Sequence, residues 1–182
     1  MPLLAESEMT EAQKQAAAGF KASRGMDVSG PFGPMLRSPD ALGVAAAMGA
    51  YFRHKSALPP QLSEFVILLT AGYWGAAFEW NAHYPIAVKA GMKPETGEAI
   101  AAGKRPPSMS AEEEALYDFV VELRTKRAVS DATYDRLLKM VGERGVIDTI
   151  GIIGYYSLLA MVLNVARVEP KPSDAPPLAP VG

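Results

Sequence analysis

The sequence predicts an all-α protein of one compact domain that assembles into oligomers, and three observations predict it. No stretch alternates polar and apolar residues over the length of a strand, whereas several stretches carry helical spacing between turn signals. Glycine and proline punctuate those stretches at intervals that suit helices. Two long runs, Phe65 to Phe78 and Thr149 to Ala166, contain no charged residue at all. Two helices apolar all round exceed what a chain of 182 residues can easily hide alone, which favours burial between subunits.

A first helix is expected from about Thr10 to Ser23. It is followed by Gly30-Pro31-Phe32-Gly33-Pro34, a segment unable to continue it. Ser38 and Pro39 read as an N-cap with proline at the first helical position, opening a helix to about Lys55. Leu58-Pro59-Pro60 breaks the chain, and Gln61 to Ala90 then reads as two helices meeting near Gly72 to Ala77, with Gly91 as the stop. A shorter helix follows Pro94. Ser110 with Glu113 forms a capping-box pattern before an amphipathic helix reaching about Lys126. Ser130 caps the next helix, which Gly142 should end, and the last runs from about Val146 to Val165. The proline-rich stretch Pro170 to Pro177 is expected to stay out of the core.

Composition excludes several function classes. The 18 basic and 20 acidic residues leave a formal charge of −2, with no basic block to follow a phosphate backbone, so nucleic acid is not an expected partner. The absence of cysteine removes thiolate nucleophiles, disulfides, iron–sulfur clusters and thiol-bound zinc. Glu6, Glu8 and Glu11 stand where a secretory leader would be basic and then apolar, which points to a cytoplasmic protein. Thr149 to Ala166 would extend about 27 Å at ~1.5 Å per residue, a borderline membrane length. Its polar residues and the lack of a second such span favour a buried helix, so no membrane partner is expected.

The chain has two histidines, His54 and His83. His54 lies in the basic cluster Arg53-His54-Lys55 at a helix end, where the helix dipole favours cations. His83 follows Glu79 by four residues, which on a helix puts both side chains on one face. A hairpin folding near Gly72 to Gly75 could bring Glu64 back beside them, so that two carboxylates and an imidazole exchange protons at the edge of an apolar pocket. The same spacing also suits an ordinary surface pair worth about 0.2–0.5 kcal/mol, and both readings stand at this point. Tyr73, Trp74, Trp80 and Tyr84 flank the group as candidate pocket walls, although aromatic residues at helical spacing commonly fill cores. Tyr155, Tyr156 and Asn164 need polar partners if buried, at the same pocket or a subunit contact, and Tyr156 joins the candidate substrate pocket. One histidine gives no recognised zinc spacing, so no metal is assigned. A phosphate-binding glycine loop, a nucleophile elbow and a dinucleotide fingerprint are all missing.

The stretch Leu62-Ser63-Glu64-Phe65-Val66-Ile67-Leu68-Leu69, continued by Trp74-Gly75-Ala76-Ala77-Phe78-Glu79-Trp80-Asn81-Ala82-His83 and closed by Ala87-Val88-Lys89-Ala90-Gly91, resembles the carboxymuconolactone decarboxylase-like family. This family belongs to the superfamily that also holds the alkylhydroperoxidase D proteins. Gly30-Pro31-Phe32-Gly33-Pro34 and Gly154-Tyr155-Tyr156 extend the likeness. The resemblance implies an alkylhydroperoxidase D-like helical bundle around a central hairpin, assembled as homo-trimers or hexamers with sites near subunit contacts. It divides the chain into an N-terminal helical extension (1–29), a helical domain (30–167) and a proline-rich tail (168–182).

In the peroxidase branch the pattern resembles Glu, then Cys-x-x-Cys-x-x-x-His. Counting back from His83 puts the cysteine positions at Ala76 and Glu79, so thiol-based hydroperoxide reduction is excluded chemically. The decarboxylase branch is the better likeness. It implies a cofactor-free lyase of aromatic catabolism in which Glu64, Glu79 and His83 are catalytic and a small carboxylated lactone or cyclic keto/enol acid is the substrate. Arg37, or Arg53 from a neighbouring subunit, is a candidate partner for a second carboxylate. An antioxidant protein of the alkylhydroperoxidase type and a non-catalytic oligomeric binding protein are the competing readings.

Overall fold

A computed structural model describes residues 1–180. Among these residues there are eight α-helices, one short 3-10 turn (Glu6–Glu8) and no strand. The helices are α1 (Glu11–Arg24), α2 (Phe32–Met35), α3 (Pro39–His54), α4 (Pro60–Trp74), α5 (Ala77–Lys89), α6 (Pro94–Ala101), α7 (Ala111–Lys126) and α8 (Asp131–Ala166).

Local chemistry sets most of these boundaries. Thr10 and Gln13 close a capping box at the start of α1, and Ser110 and Glu113 do the same for α7. Proline occupies the first helical position of α3, α4 and α6, where its missing N–H costs nothing. Gly25 ends α1 and Gly75 ends α4 in the left-handed conformation. The segment at Gly30 to Pro34, expected only as a break, folds into the single turn α2 and buries Gly33, Pro34 and Met35. At Gly142 the backbone leaves helical geometry (φ 69°, ψ 173°), but no loop follows. The helix capped by Ser130 thus ends at Gly142 as expected, and α8 is two helices joined across this kink.

Helix α4 is the centre of the molecule. Its residues from Leu62 through Ala71 are all buried, and it packs against α5, α7 and α8. Phe65, Leu68, Trp80, Leu116, Phe119 and Ile152 are among the most deeply buried side chains. The hairpin α4–α5 turns through Gly75, so the two helices run back against each other. Buried Asp148 on α8 accepts hydrogen bonds from the Tyr51 hydroxyl (3.0 Å) and the Ala57 amide (2.7 Å), which fastens α8 to the end of α3.

The C-terminal tail does not stay out of the core. From Val168 to Pro180 it runs back over the bundle, while Val181 and Gly182 lie outside the described residues. The Trp80 indole donates to the Pro176 carbonyl (2.8 Å), the Asn81 amide to the Lys171 carbonyl (2.8 Å), and the Ala179 amide to the Ala101 carbonyl (2.8 Å). Ala175 and Leu178 pack on the core. The cause is Trp80: a buried indole N–H must find an acceptor, and an extended proline-rich strap presents unused carbonyls.

Helix α8 is long and apolar enough to cross a membrane, and half of its most apolar window is buried within the protein. Its outer side carries Ile147, Ile150, Gly154, Leu158, Met161 and Val165, all exposed, at steps of three and four residues. That spacing makes one continuous apolar stripe, with Val44 and Met48 of the neighbouring α3 also exposed.

Candidate active site

Glu64 lies in the second turn of α4, while Glu79 and His83 lie one turn apart on α5. The antiparallel hairpin brings His83 Nδ1 to 2.6 Å from Glu64 Oε2, with both side chains about nine-tenths buried. The imidazole is therefore oriented by Glu64, 19 residues away, and not by its helical neighbour Glu79. With Nδ1 engaged by the carboxylate, Nε2 is the ring nitrogen left for a ligand. The Tyr156 ring meets the imidazole edge-on (centroids 5.1 Å apart, 89° between planes) and fixes its tilt.

Glu79 is 3% exposed and neither carboxylate oxygen has a hydrogen-bond partner among the described residues. Burial pushes its carboxyl from an ordinary value of 4.5 up to about 8, so at neutral pH it is mostly the uncharged acid. The phenol of Tyr155 is pushed up to about 12, first by burial, with the Arg24 guanidinium acting in the opposite direction. Burial raises Tyr156 further still, aided by the charge of Glu64. Both tyrosines are neutral donors at any physiological pH.

Glu79, His83, Tyr155 and Tyr156 face one cavity of about 240 Å³, and Glu64 joins it only through its bond to His83. Glu79, Ala82, His83 and Phe78 come from α5, and Tyr155, Tyr156 and Leu159 from α8. The remaining wall comes from Phe20 and Arg24 of α1, the loop through Phe32, Arg53 of α3, and Lys171 of the tail. Among the described residues no three His, Asp or Glu side chains converge closely enough to hold a metal ion.

Of the five aromatic residues expected to wall the pocket, Tyr156 does so and the other four do not. Trp80 and Tyr84 each follow a cavity residue by one position, which on a helix turns them about 100° away. Trp80 is consequently core (1% exposed), and Tyr84 packs beside it under the tail (centroids 5.8 Å). Tyr73 and Trp74 lie at the far end of α4, about 14 Å along the axis from Glu64 at ~1.5 Å per residue. Tyr73 stacks under the Arg124 guanidinium (4.3 Å), while the Trp74 indole donates to Ser157 (2.9 Å). Asn164 is exposed and donates to the Trp74 carbonyl (2.8 Å). Arg37 is outside the cavity and holds the Pro2 carbonyl (2.8 Å), whereas Arg53 reaches the cavity within its own chain.

Comparison with solved structures supplies a likeness of fold. The crystal structure of an alkylhydroperoxidase AhpD core, an uncharacterized peroxidase-related protein from Ralstonia eutropha JMP134, superposes with a TM-score of 0.74 at 15% identity, covering 94% of this chain and 91% of that one. The fold is that of the alkylhydroperoxidase D-like proteins. An uncharacterized peroxidase-related protein from Silicibacter sp. TM1040 gives a TM-score of 0.71 at 16% identity, over 93% of this chain and 89% of that one. The debrominase Bmp8, solved in complex with 2,3,4-tribromopyrrole, gives 0.68 at 16% identity, over 93% and 90%. No protein-family model and no curated protein sequence matches the chain. The alkylhydroperoxidase D-like fold thus carries at least two differently named activities, and the reaction of this chain must be argued from its site.

Proposed function

We propose that the chain is a cofactor-free proton-transfer enzyme, a lyase that removes carbon dioxide from a small carboxylated lactone or cyclic keto/enol acid. The observation that carries this reading is that His83, held by buried Glu64, faces the same cavity as the buried and unpartnered Glu79, whose carboxyl burial keeps as the acid. In the proposed step the bond between ring carbon and carboxylate breaks, and its electron pair passes into the conjugated carbonyl of the substrate. Carbon dioxide leaves, and Glu79 delivers its proton to the carbon. Glu79 is then reprotonated from solvent through Nε2 of His83, which Glu64 holds in place. The apolar walls favour loss of the charged carboxylate because they solvate it poorly.

The same reading takes the chain as a homo-oligomer, a trimer or hexamer, in which the apolar stripe of α8 meets a second copy. The absence of cysteine argues against the antioxidant alternative, since a thiol peroxidase needs a sulfur nucleophile.

The test is solvent deuterium exchange and carbon dioxide release on a panel of cyclic keto acids and carboxylated lactones. A substrate turned over by the wild type should lose at least 100-fold in rate with His83→Ala, and about as much with Glu79→Gln, since positioned acid–base groups contribute roughly 10²–10⁴-fold. Turnover that neither substitution changes defeats the proposal.

A further inference from the structure

Helix α1 belongs to the segment expected as an N-terminal extension, yet it delivers a cation into the cavity. Arg24 is half-buried, and its Nη2 donates to the Ala46 carbonyl at 2.7 Å. Its guanidinium carbon lies 4.9 Å from the centroid of the Phe32 ring and 5.3 Å from that of Phe20. Space for it is made by Gly49 of α3. A Cβ there would fall 3.0 Å from Arg24 Nη2 and 2.2 Å from the Tyr155 hydroxyl. The side chain is thus held by a carbonyl, two aromatic faces and a position without a side chain.

Among the described residues, no carboxylate forms an ion pair with Arg24, although the chain as a whole is acidic. Glu79 is the one acid that lines the cavity with Arg24, and its oxygens have no partner among the described residues; Glu64 is committed to His83. A guanidinium has five N–H donors, and the Ala46 carbonyl uses one. Arg53 and Lys171 add positive charge at the same cavity. A fixed, aromatic-stacked arginine with donors to spare and no counter-ion is built for a planar anion, and carboxylate matches its fork.

We infer that Arg24 is the specificity-determining residue of this cavity, binding a carboxylate of the substrate at the end remote from the reacting carbon. The inference deepens the proposed proton-transfer reading and rests on it for the word substrate. The recognition itself is independent of turnover: Arg24 sets the orientation by fixing a carboxylate between α1 and α8, and the ring then extends toward His83 and Glu79.

Calorimetric titration of the full chain with benzoate and with its neutral isostere benzamide tests this. The wild type should bind benzoate at least about tenfold more tightly than benzamide, the scale of one charge-assisted bond. Arg24→Gln should erase that preference and leave benzamide affinity within about threefold of wild type, which also shows that the cavity is intact. Arg24→Lys should keep part of the preference, as a point charge without the fork. Arg37→Gln, outside the cavity, should change neither affinity. Equal binding of the two probes by the wild type, no binding of either, or an undiminished preference in Arg24→Gln overturns the inference. Failure of the two readings is distinguishable. Loss of the preference in Arg24→Gln together with unchanged exchange in His83→Ala would keep Arg24 and discard the proton-transfer reading, and the reverse pair would do the opposite.

Discussion

Glu79→Gln should flatten the dependence of stability on pH. The folded protein holds the Glu79 carboxyl at about 8, against 4.5 for an ordinary one, because the site is buried and offers it no hydrogen bond. Below pH 4.5 the acid is protonated folded or unfolded and its burial carries no ionisation penalty. Between the two values the unfolded chain releases this proton and the folded one keeps it, so stability falls as pH rises, and above about 8 the loss is complete. At ~1.4 kcal/mol per pH unit, the wild type should lose on the order of 2–3 kcal/mol between pH 6 and pH 9 through this group alone. Glutamine has nearly the same volume and cannot ionise. The variant starts lower by about 1–3 kcal/mol for its unpaired amide, but should lose correspondingly less over that interval. Urea unfolding at fixed protein concentration across pH 6–9 measures both slopes. Profiles that run parallel to within about 0.5 kcal/mol would refute the claim that Glu79 is buried as an acid.

Gly49→Ala should lower the melting temperature and weaken binding at the cavity together, because its Cβ would sit 2.2 Å from the Tyr155 hydroxyl; thermal unfolding and benzoate titration check this, and overpacking of this kind costs about 1–3 kcal/mol. Placing charge on the α8 stripe with Ile147→Glu and Val165→Glu should shift the protein toward monomer in light scattering, with helical content retained. Removing the tail after Pro170 should shift the tryptophan emission to longer wavelength, as Trp80 loses the Pro176 carbonyl and its cover.

What was legible in the sequence was local. Thr10, Ser110, Pro39 and Pro94 announce helix starts because capping is decided within one turn, and the boundaries follow within a residue or two. Gly142 announces a helix stop because glycine frees the backbone, and the chain does leave helical geometry there; that a second helix starts at once, with no loop between, carries no local signal. Glu64, Glu79 and His83 could be singled out by type and spacing. That the imidazole pairs with Glu64 depends on how the hairpin is rotated, which periodicity leaves open because α4 is apolar on nearly every side. The aromatic walls were misplaced for the same reason: Trp80 and His83 are three residues apart, but one serves the core and the other the cavity. Arg24 carries no signal beyond its charge, because its use rests on Phe32 across a loop and on Gly49 and Tyr155 farther along the chain.

The position of Glu79 also separates this site from a thiol site on a similar scaffold. By the family likeness, Ala76 and Glu79 stand where a peroxidase pattern has its cysteines, at the start of α5. A helix N-terminus favours negative charge by about 0.3–1 kcal/mol, enough to help a thiolate and, taken alone, enough to keep a carboxylate ionised. Holding an acid neutral there up to about pH 8 requires burial to outweigh that field several-fold, and the unpartnered oxygens of Glu79 account for it. The same helix end that would activate a sulfur nucleophile therefore carries a proton donor, with Tyr155 and Tyr156 as further neutral donors opposite. Under the proposed reading such a set hands a proton to carbon without a redox partner, whereas a likeness at 15–16% identity carries the fold and not the peroxidase-related names of the structural neighbours.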